Sequence, residues 1–166
     1  MTFTGDLHMM ATTMTTDRIE EQVILDSPRA RVWRALTNVD ELGAWFGAKL
    51  TGQTIASGRR VTGPITIKGY EHVSFDVTIE EMVPERRFSW RWHPNALDTS
   101  VDYSAEPQTL VTFTLEDAAD GGTLLRVVES GFDALPSARR MPAFTGNSSG
   151  WRGQLQKRLP GYLASA

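Results

Sequence analysis

The chain contains no cysteine in its 166 residues and only three histidines. The absence of cysteine excludes disulfides, thiolate nucleophiles and thiolate metal sites, and it is compatible with a cytoplasmic location. The sequence also lacks HExxH and GxxxxGK motifs, and GNSSG at 146–150 follows no predicted strand and so is no GxSxG nucleophile elbow. Zinc protease, nucleotide hydrolase and serine hydrolase chemistry therefore have no support. We therefore expect no metal site and no cofactor.

Basic clusters and long apolar runs are missing too. The net charge is −3, and no basic run is denser than the pairs Arg59–Arg60, Arg86–Arg87 and Arg139–Arg140. A nucleic-acid surface needs basic residues massed on one face, so we expect no nucleic-acid partner. No segment approaches the ~20 apolar residues of a membrane span. The first 17 residues lack Lys, Arg and an apolar run, so we expect no secretory signal in them. The same composition predicts a disordered tail over 1–17, followed by a single domain over 18–166, in a cytoplasmic protein.

Alternation of apolar and polar residues dominates the middle of the chain and predicts antiparallel strands. Gly121-Gly122 and Pro84-Glu85 are typical of the tight connections between such strands. The predicted strands are Arg18–Leu25, Lys49–Gly52, Arg59–Ile67, Glu71–Val83, Arg86–His93, Thr109–Asp117 and Thr123–Glu129.

One face of these strands carries large apolar side chains and is predicted to face inward. Its members are Val73, Phe75, Val77, Ile79, Phe88, Trp90, Trp92, Val111, Phe113, Leu115, Leu125 and Val127. The opposite face reads Ser74, Asp76, Thr78, Ser89, Arg91, Thr112 and Thr114. A polar outer face disfavours a protein-interaction module, which would expose an apolar patch there.

Helical patterns flank the strands. Ser27 and Pro28 are typical of an N-cap and a first helical residue, and Asn38 is typical of the cap of a second, short helix. Near the carboxyl end, apolar residues at helical spacing predict one long helix from Ser148 to about Leu163, kinked at Pro160. The sequence therefore predicts an α+β fold, in which a twisted sheet curls around a C-terminal helix and the space between them is either packed or open.

Four segments carry a family resemblance: PRARVWRALTNVDELGAWFG, VPERRFSWRW, LVTFTLEDAADGGTLLRVVESGF and GWRGQLQKRLPGYL. They resemble the heat-shock-90 ATPase activator-like family of the START-like helix-grip (SRPBCC) superfamily, which also includes birch-pollen-type allergens and polyketide cyclases. The resemblance implies a curved antiparallel sheet of about six to seven strands gripping the C-terminal helix. It also implies a cavity between them that in many relatives holds a lipid, sterol or aromatic molecule. Many relatives have His where this chain has Glu129, so an acid-base role of that His is not transferred.

Trp45 and Phe46 either fill the core or line the rim of this cavity. The same alternatives hold for the inward aromatic side chains of the strands and the long helix, because aromatic walls are typical both of cores and of apolar ligand sites. The ligand-binding candidates are Trp45, Phe46, Phe75, Trp90, Trp92, Tyr103, Phe113, Glu129, Trp151 and Leu155.

Glu129 is the one candidate for proton transfer, because alternation points it inward at the end of a strand. His72 and His93 have outward parity and are interpreted as surface residues. The connection Pro94–Gln108, 15 residues long, exceeds the ~4–6-residue median and is either a lid carrying Tyr103 or a surface loop.

Three functions follow as hypotheses. The favoured one is a non-enzymatic protein that binds a small apolar or aromatic molecule. The others are a cyclase- or dehydratase-type enzyme using Glu129, and a co-chaperone-like interaction module. The protein is expected to be a monomer or homodimer.

Overall fold

A computed structural model describes residues 16–166, so the predicted tail lies almost entirely outside the described residues. Six strands form one antiparallel sheet in the order β1-β6-β5-β4-β3-β2. Their bounds are β1 Arg18–Leu25, β2 Arg60–Pro64, β3 Ser74–Val83, β4 Arg87–Trp92, β5 Thr109–Asp117 and β6 Thr123–Ser130. The predicted antiparallel sheet is confirmed.

Lys49–Gly52, by contrast, forms no strand, and that prediction is wrong. Ala48 makes a single isolated bridge with Ile65, after which the chain turns. The reason is the close approach of this segment to β2, where a side chain on Gly63 would overlap the Lys49 carbonyl oxygen. The segment therefore lies closely against Gly63 of β2 and makes a single bridge instead of extending the sheet.

Two short helices follow β1: α1 Arg29–Thr37 and α2 Val39–Phe46. The predicted cap of α2 is confirmed, because Asn38 Oδ1 accepts hydrogen bonds from the backbone amides of Asp40 and Glu41 at 3.1 Å each. The predicted cap of α1 is wrong: Pro28, not Ser27, is the N-cap residue, and no side chain caps the helix.

The carboxyl-terminal helix is longer than predicted. It begins at Ser137, not Ser148, as α3 Ser137–Gly153, passes through a π turn at Gln154–Arg158 and ends as α4 Leu159–Ser165. Its first part carries Pro142 and several glycines and lacks apolar periodicity. Apolar residues at helical spacing therefore did not predict this part of the helix. The π turn, a rare element that occurs mostly as a single turn inside an α-helix, lies immediately before Leu159 and Pro160.

The π turn also holds α2 in place. The Gln154 amide nitrogen donates to the Phe46 carbonyl at 3.0 Å, and Arg158 Nε donates to the Trp45 carbonyl at 2.8 Å. These are carbonyls of the last turn of α2, which have no partner within their own helix. The position of Phe46 is thus fixed by the long helix.

A charged network joins α2 to α1 and α4. Glu41 accepts a hydrogen bond from the Tyr162 hydroxyl at 2.7 Å, and it pairs with Arg31 at 2.7 Å and Arg34 at 2.8 Å. Burial raises the pKa of Glu41, but these three partners outweigh it and hold that pKa below its ordinary value.

The core lies between the sheet and the long helix and is rich in aromatic rings. Trp151 of α3 contacts Trp90, Trp92 and Phe113, with ring centroids 6.3, 5.9 and 5.6 Å away. Trp90, Phe113 and Leu155 are fully buried. The middle of the space between sheet and helix is therefore packed with side chains.

Candidate functional site

An open cavity of about 660 Å³ lies where β3 begins and β4 ends. Its walls come from α2, β2, β3, the end of β4, the connection between β4 and β5, and Asn147 of α3. Ligand pockets commonly have volumes of about 300–1,000 Å³. The space is thus large enough for a small organic molecule.

The floor of the cavity is the end of the aromatic core. Phe46, Phe75 and Trp92 line it, together with Ile65 and Val73. The Phe46 ring lies 5.1 Å from Phe75 and 6.1 Å from Trp92, in edge contacts. Edge contacts are a favoured geometry of aromatic pairs, so the rings of the floor are packed against one another.

Of the ten ligand-binding candidates from the sequence, four line the cavity: Phe46, Phe75, Trp92 and Tyr103. The structure places the other six in the buried interior, away from the lining: Trp45, Trp90, Phe113, Glu129, Trp151 and Leu155.

Trp45 and Phe46 are neighbours with different surroundings. Trp45 is 1% exposed, and its indole N–H donates to the Ala35 carbonyl at 2.8 Å. Phe46 is 8% exposed, lines the cavity and also contacts the rings of Trp90 and Trp151. Trp45 therefore belongs to the core, whereas Phe46 belongs to both the core and the cavity.

Glu129 is fully buried directly behind the cavity wall and is surrounded by hydrogen-bond donors. Its Oε2 accepts from Trp92 Nε1 at 2.8 Å and from the Thr109 hydroxyl at 2.6 Å. Its Oε1 accepts from Trp151 Nε1 at 2.8 Å, and Asn147 Nδ2 donates to both oxygens at 3.0 and 3.1 Å. All four donors are neutral, so a buried carboxylate is stabilised here by hydrogen bonds and not by an ion pair.

The polar rim of the cavity contains residues that the sequence patterns missed, among them His93, Asn95, Asp102, Gln108 and Asn147. His93 was assigned to the surface by strand parity, but β4 ends at Trp92, so parity no longer applies to His93. Asn147 was missed because the helix was predicted to begin one residue later.

The connection between β4 and β5 covers one side of the cavity and is attached to α3 through Arg139. Arg139 donates to the Pro94 and Asn95 carbonyls at 2.7 and 3.2 Å and to Glu106 Oε1 at 3.0 Å. Its guanidinium also lies over the Tyr103 ring, 4.6 Å from the centroid. One partly buried cation thus joins both ends and the middle of this connection.

Within residues 16–166, no group of three or more His, Asp or Glu side chains is arranged to hold a metal ion. No helix in the same range is long and apolar enough to cross a membrane.

Comparison with known proteins places this geometry in a family. A family model described as Activator of Hsp90 ATPase homolog 1-like protein matches residues 26–164. No curated protein matches the chain.

Solved structures share the fold. Protein MLL2253 from Mesorhizobium loti is 23% identical with a TM-score of 0.67, covering 90% of this chain and 98% of that one. DynU16, a putative protein in the dynemicin biosynthetic locus, is 22% identical with a TM-score of 0.66, covering 89% of this chain and 47% of that one. The Aha1 dimer from Colwellia psychrerythraea is 17% identical with a TM-score of 0.60, covering 86% of this chain and 92% of that one. The family match over most of the chain confirms the resemblance predicted from the sequence, and the chain belongs to the Activator of Hsp90 ATPase homolog 1-like protein family.

Proposed function

We propose that this protein binds a small apolar or aromatic molecule in the cavity at the end of its aromatic core. The observation that carries the proposal is the aromatic floor of Phe46, Phe75 and Trp92 in an open space of about 660 Å³. An apolar floor with a few polar groups at the rim is the usual composition of a site for such ligands. A family in which one structural relative is a putative protein of a biosynthetic locus is compatible with this function.

A cyclase- or dehydratase-type reaction is the alternative, and its difficulty is the position of Glu129. Proton transfer requires the carboxylate to lie within hydrogen-bond reach of the substrate. Both Glu129 oxygens are instead taken up by protein donors, and Trp92 and Asn147 stand between this residue and the cavity. We therefore assign Glu129 a positioning role and propose a binding protein.

A co-chaperone-like interaction module has less support. The outer face of the sheet carries ion pairs such as Arg60–Asp76 at 2.7 Å and Arg87–Glu81 at 2.6 Å. An extended apolar docking patch would be expected for the alternative. Whether the protein is a monomer or a homodimer stays a prediction.

The test fills the cavity with a side chain. Val73 lies on the wall and is half-buried, so Val73→Trp places an indole in the binding space. Ile24 is 68% exposed on β1, at the opposite edge of the sheet, so Ile24→Trp is the matched control. Binding of the neutral fluorescent probe N-phenyl-1-naphthylamine should fall about tenfold or more in the first variant, since one well-placed steric block removes at least 1.4 kcal/mol, and should be unchanged in the second. Wild-type binding by a folded Val73→Trp variant would reject this cavity as the site.

A further inference from the structure

The polar atoms that the cavity wall offers to a ligand are biased toward acceptors, and Glu129 is the origin of the bias. The Asn147 amide nitrogen donates to both Glu129 oxygens at 3.0 and 3.1 Å. Since a carboxylate only accepts, the Asn147 amide is held with its nitrogen toward Glu129. Its carbonyl oxygen is therefore the atom left for the cavity that Asn147 lines.

Trp92 is held by the same carboxylate. Its indole N–H is a donor and nothing else, and it points to Glu129 Oε2 at 2.8 Å. The cavity thus receives the apolar ring of Trp92 and not its donor group. A wall that would otherwise carry two N–H donors has both turned away from the ligand.

His93 also directs a donor away from the ligand. Its Nε2 lies 3.1 Å from the Glu106 carbonyl oxygen. Since a carbonyl only accepts, Nε2 carries a proton and donates it to Glu106. His93 lines the cavity, so this N–H is one more donor of the wall that is bound within the protein.

The charged side chains at the rim also favour a ligand that donates hydrogen bonds. Arg60 is the one Lys or Arg on the lining, and it is bound through two nitrogens to Asp76 at 2.8 and 2.7 Å. Asp102, in contrast, has no basic side chain within salt-bridge distance among the described residues. The hydroxyl and backbone amide of Ser104 hold the pKa of Asp102 below its ordinary value, and nearby His93 acts in the same direction. Among the described residues, the rim therefore presents a carboxylate that is not paired with a Lys or Arg side chain.

The other polar side chains of the lining are hydroxyls, Asn95 and Gln108, which either donate or accept. They provide adaptable contacts without reversing the bias. We propose that the cavity selects molecules in which an apolar or aromatic body carries a hydrogen-bond donor, a primary amine above all, and that it discriminates against carboxylates such as fatty acids. This inference rests on the proposed function and names its ligand class.

The test compares three probes with one naphthalene body: 2-(2-naphthyl)ethylamine, 2-(2-naphthyl)ethanol and 2-naphthylacetate. Calorimetric titration at low ionic strength and about pH 8 keeps the amine charged and the acid ionised. We expect the order amine, alcohol, acid, with the amine at least about tenfold tighter than the acid because charge-assisted hydrogen bonds are the strong ones. Equal or tighter binding of the acid would overturn the selectivity while leaving the proposed function intact. Binding of none of the three, nor of the neutral fluorescent probe, would reject the proposed function and the selectivity with it.

Two variants locate the origin of the selectivity. Asp102→Asn should weaken the amine about fivefold, the worth of one solvent-exposed charge contact, and should weaken the uncharged alcohol less. Asp98→Asn is the control, because Asp98 is in the same connection and is hydrogen-bonded to Ser100 but does not line the cavity.

Glu129→Gln introduces a donor where only acceptors stood, which allows Asn147 to turn its nitrogen toward the cavity. The ratio of amine to acid affinity should therefore fall. If that variant does not fold, the Asp102 and Asp98 pair decides the question alone. An unchanged amine-to-acid ratio in every folded variant would overturn the proposal.

Discussion

Truncating Trp45 to alanine tests the division between core and cavity most directly. Trp45 is 1% exposed, its N–H donates to the Ala35 carbonyl at 2.8 Å, and its ring lies 5.8 Å from that of Phe46. Removing a buried Trp or Phe side chain costs about 3–5 kcal/mol. This is a large part of the ~5–15 kcal/mol that stabilises a typical domain. For a chain of this size each kcal/mol shifts the melting temperature by about 2–4 °C, so the expected decrease is roughly 6–20 °C.

Two further substitutions are compared with Trp45→Ala: one isolates the hydrogen bond of Trp45, and the other truncates a less buried tryptophan. Trp45→Phe keeps an aromatic ring but removes the donor to Ala35, so it should cost about 1–3 kcal/mol for the unsatisfied buried carbonyl. Trp33 on α1 is half-buried, with an edge contact to Phe88 at 6.1 Å. Trp33→Ala should therefore destabilise the fold less than Trp45→Ala.

Urea unfolding followed by circular dichroism gives these free energies without relying on the fluorescence of the removed indole. Binding of N-phenyl-1-naphthylamine is measured on the same folded samples. Because Trp45 does not line the cavity, the Trp45→Ala variant should bind the probe as the wild type does. A smaller loss of stability than in Trp33→Ala, together with a selective loss of probe binding, would place Trp45 at the ligand and refute the reasoning.

Three shorter predictions concern stability and motion. The pKa of Glu41 is depressed in the fold, so the stability that Glu41 contributes is present above the ordinary carboxylate pKa of about 4.3 and is lost on acidification. Urea titrations should show that the difference in unfolding free energy between the wild type and Glu41→Gln becomes smaller below that pH. A difference that does not depend on pH would contradict the network. Gly43→Ala should destabilise the fold by about 1–3 kcal/mol, because the new methyl group overlaps a backbone carbonyl. Gly150→Ala meets nothing within 4 Å and should stabilise the fold by about 0.5–1 kcal/mol. A change of melting temperature in the same direction for both variants would refute this. Arg139→Met should release the connection at 94–108, with amide exchange there about tenfold faster, and unchanged exchange would show that other contacts hold it.

The sheet was largely predictable from the sequence because one physical signal specifies it. Alternation determines which face of a strand is buried, and a slip of one residue would expose every apolar side chain. Phe75, Trp90, Phe113 and Val127 are accordingly all buried. The same signal also pointed Glu129 inward, where the structure places it. Alternation thus identified the buried carboxylate but carried no information on which side chains meet it.

The rest of the site depends on the first part of α3, which has no comparable signal. Pro142 and Gly146 are poor helix formers, and the exposed residues around them leave no apolar stripe. Gly146 also lies against the Asn95 side chain, where a Cβ would be 2.9 Å from Asn95 Oδ1. The contact between Gly146 and Asn95 is therefore a tertiary contact, and it lies in a part of the helix that local propensity does not predict. Missing that helix meant missing Asn147.

Glu129 connects these two observations. A carboxylate with no exposed surface is costly to bury, and an apolar residue of similar volume would serve stability at least as well. Its hydrogen bonds join β4, β5 and α3, and two of its four donors, Trp92 and Asn147, line the cavity. Breaking a local rule of burial is expected where function requires it. The carboxylate is therefore best explained by what it does to the wall: it fixes the orientations in which one aromatic ring and one amide line the cavity.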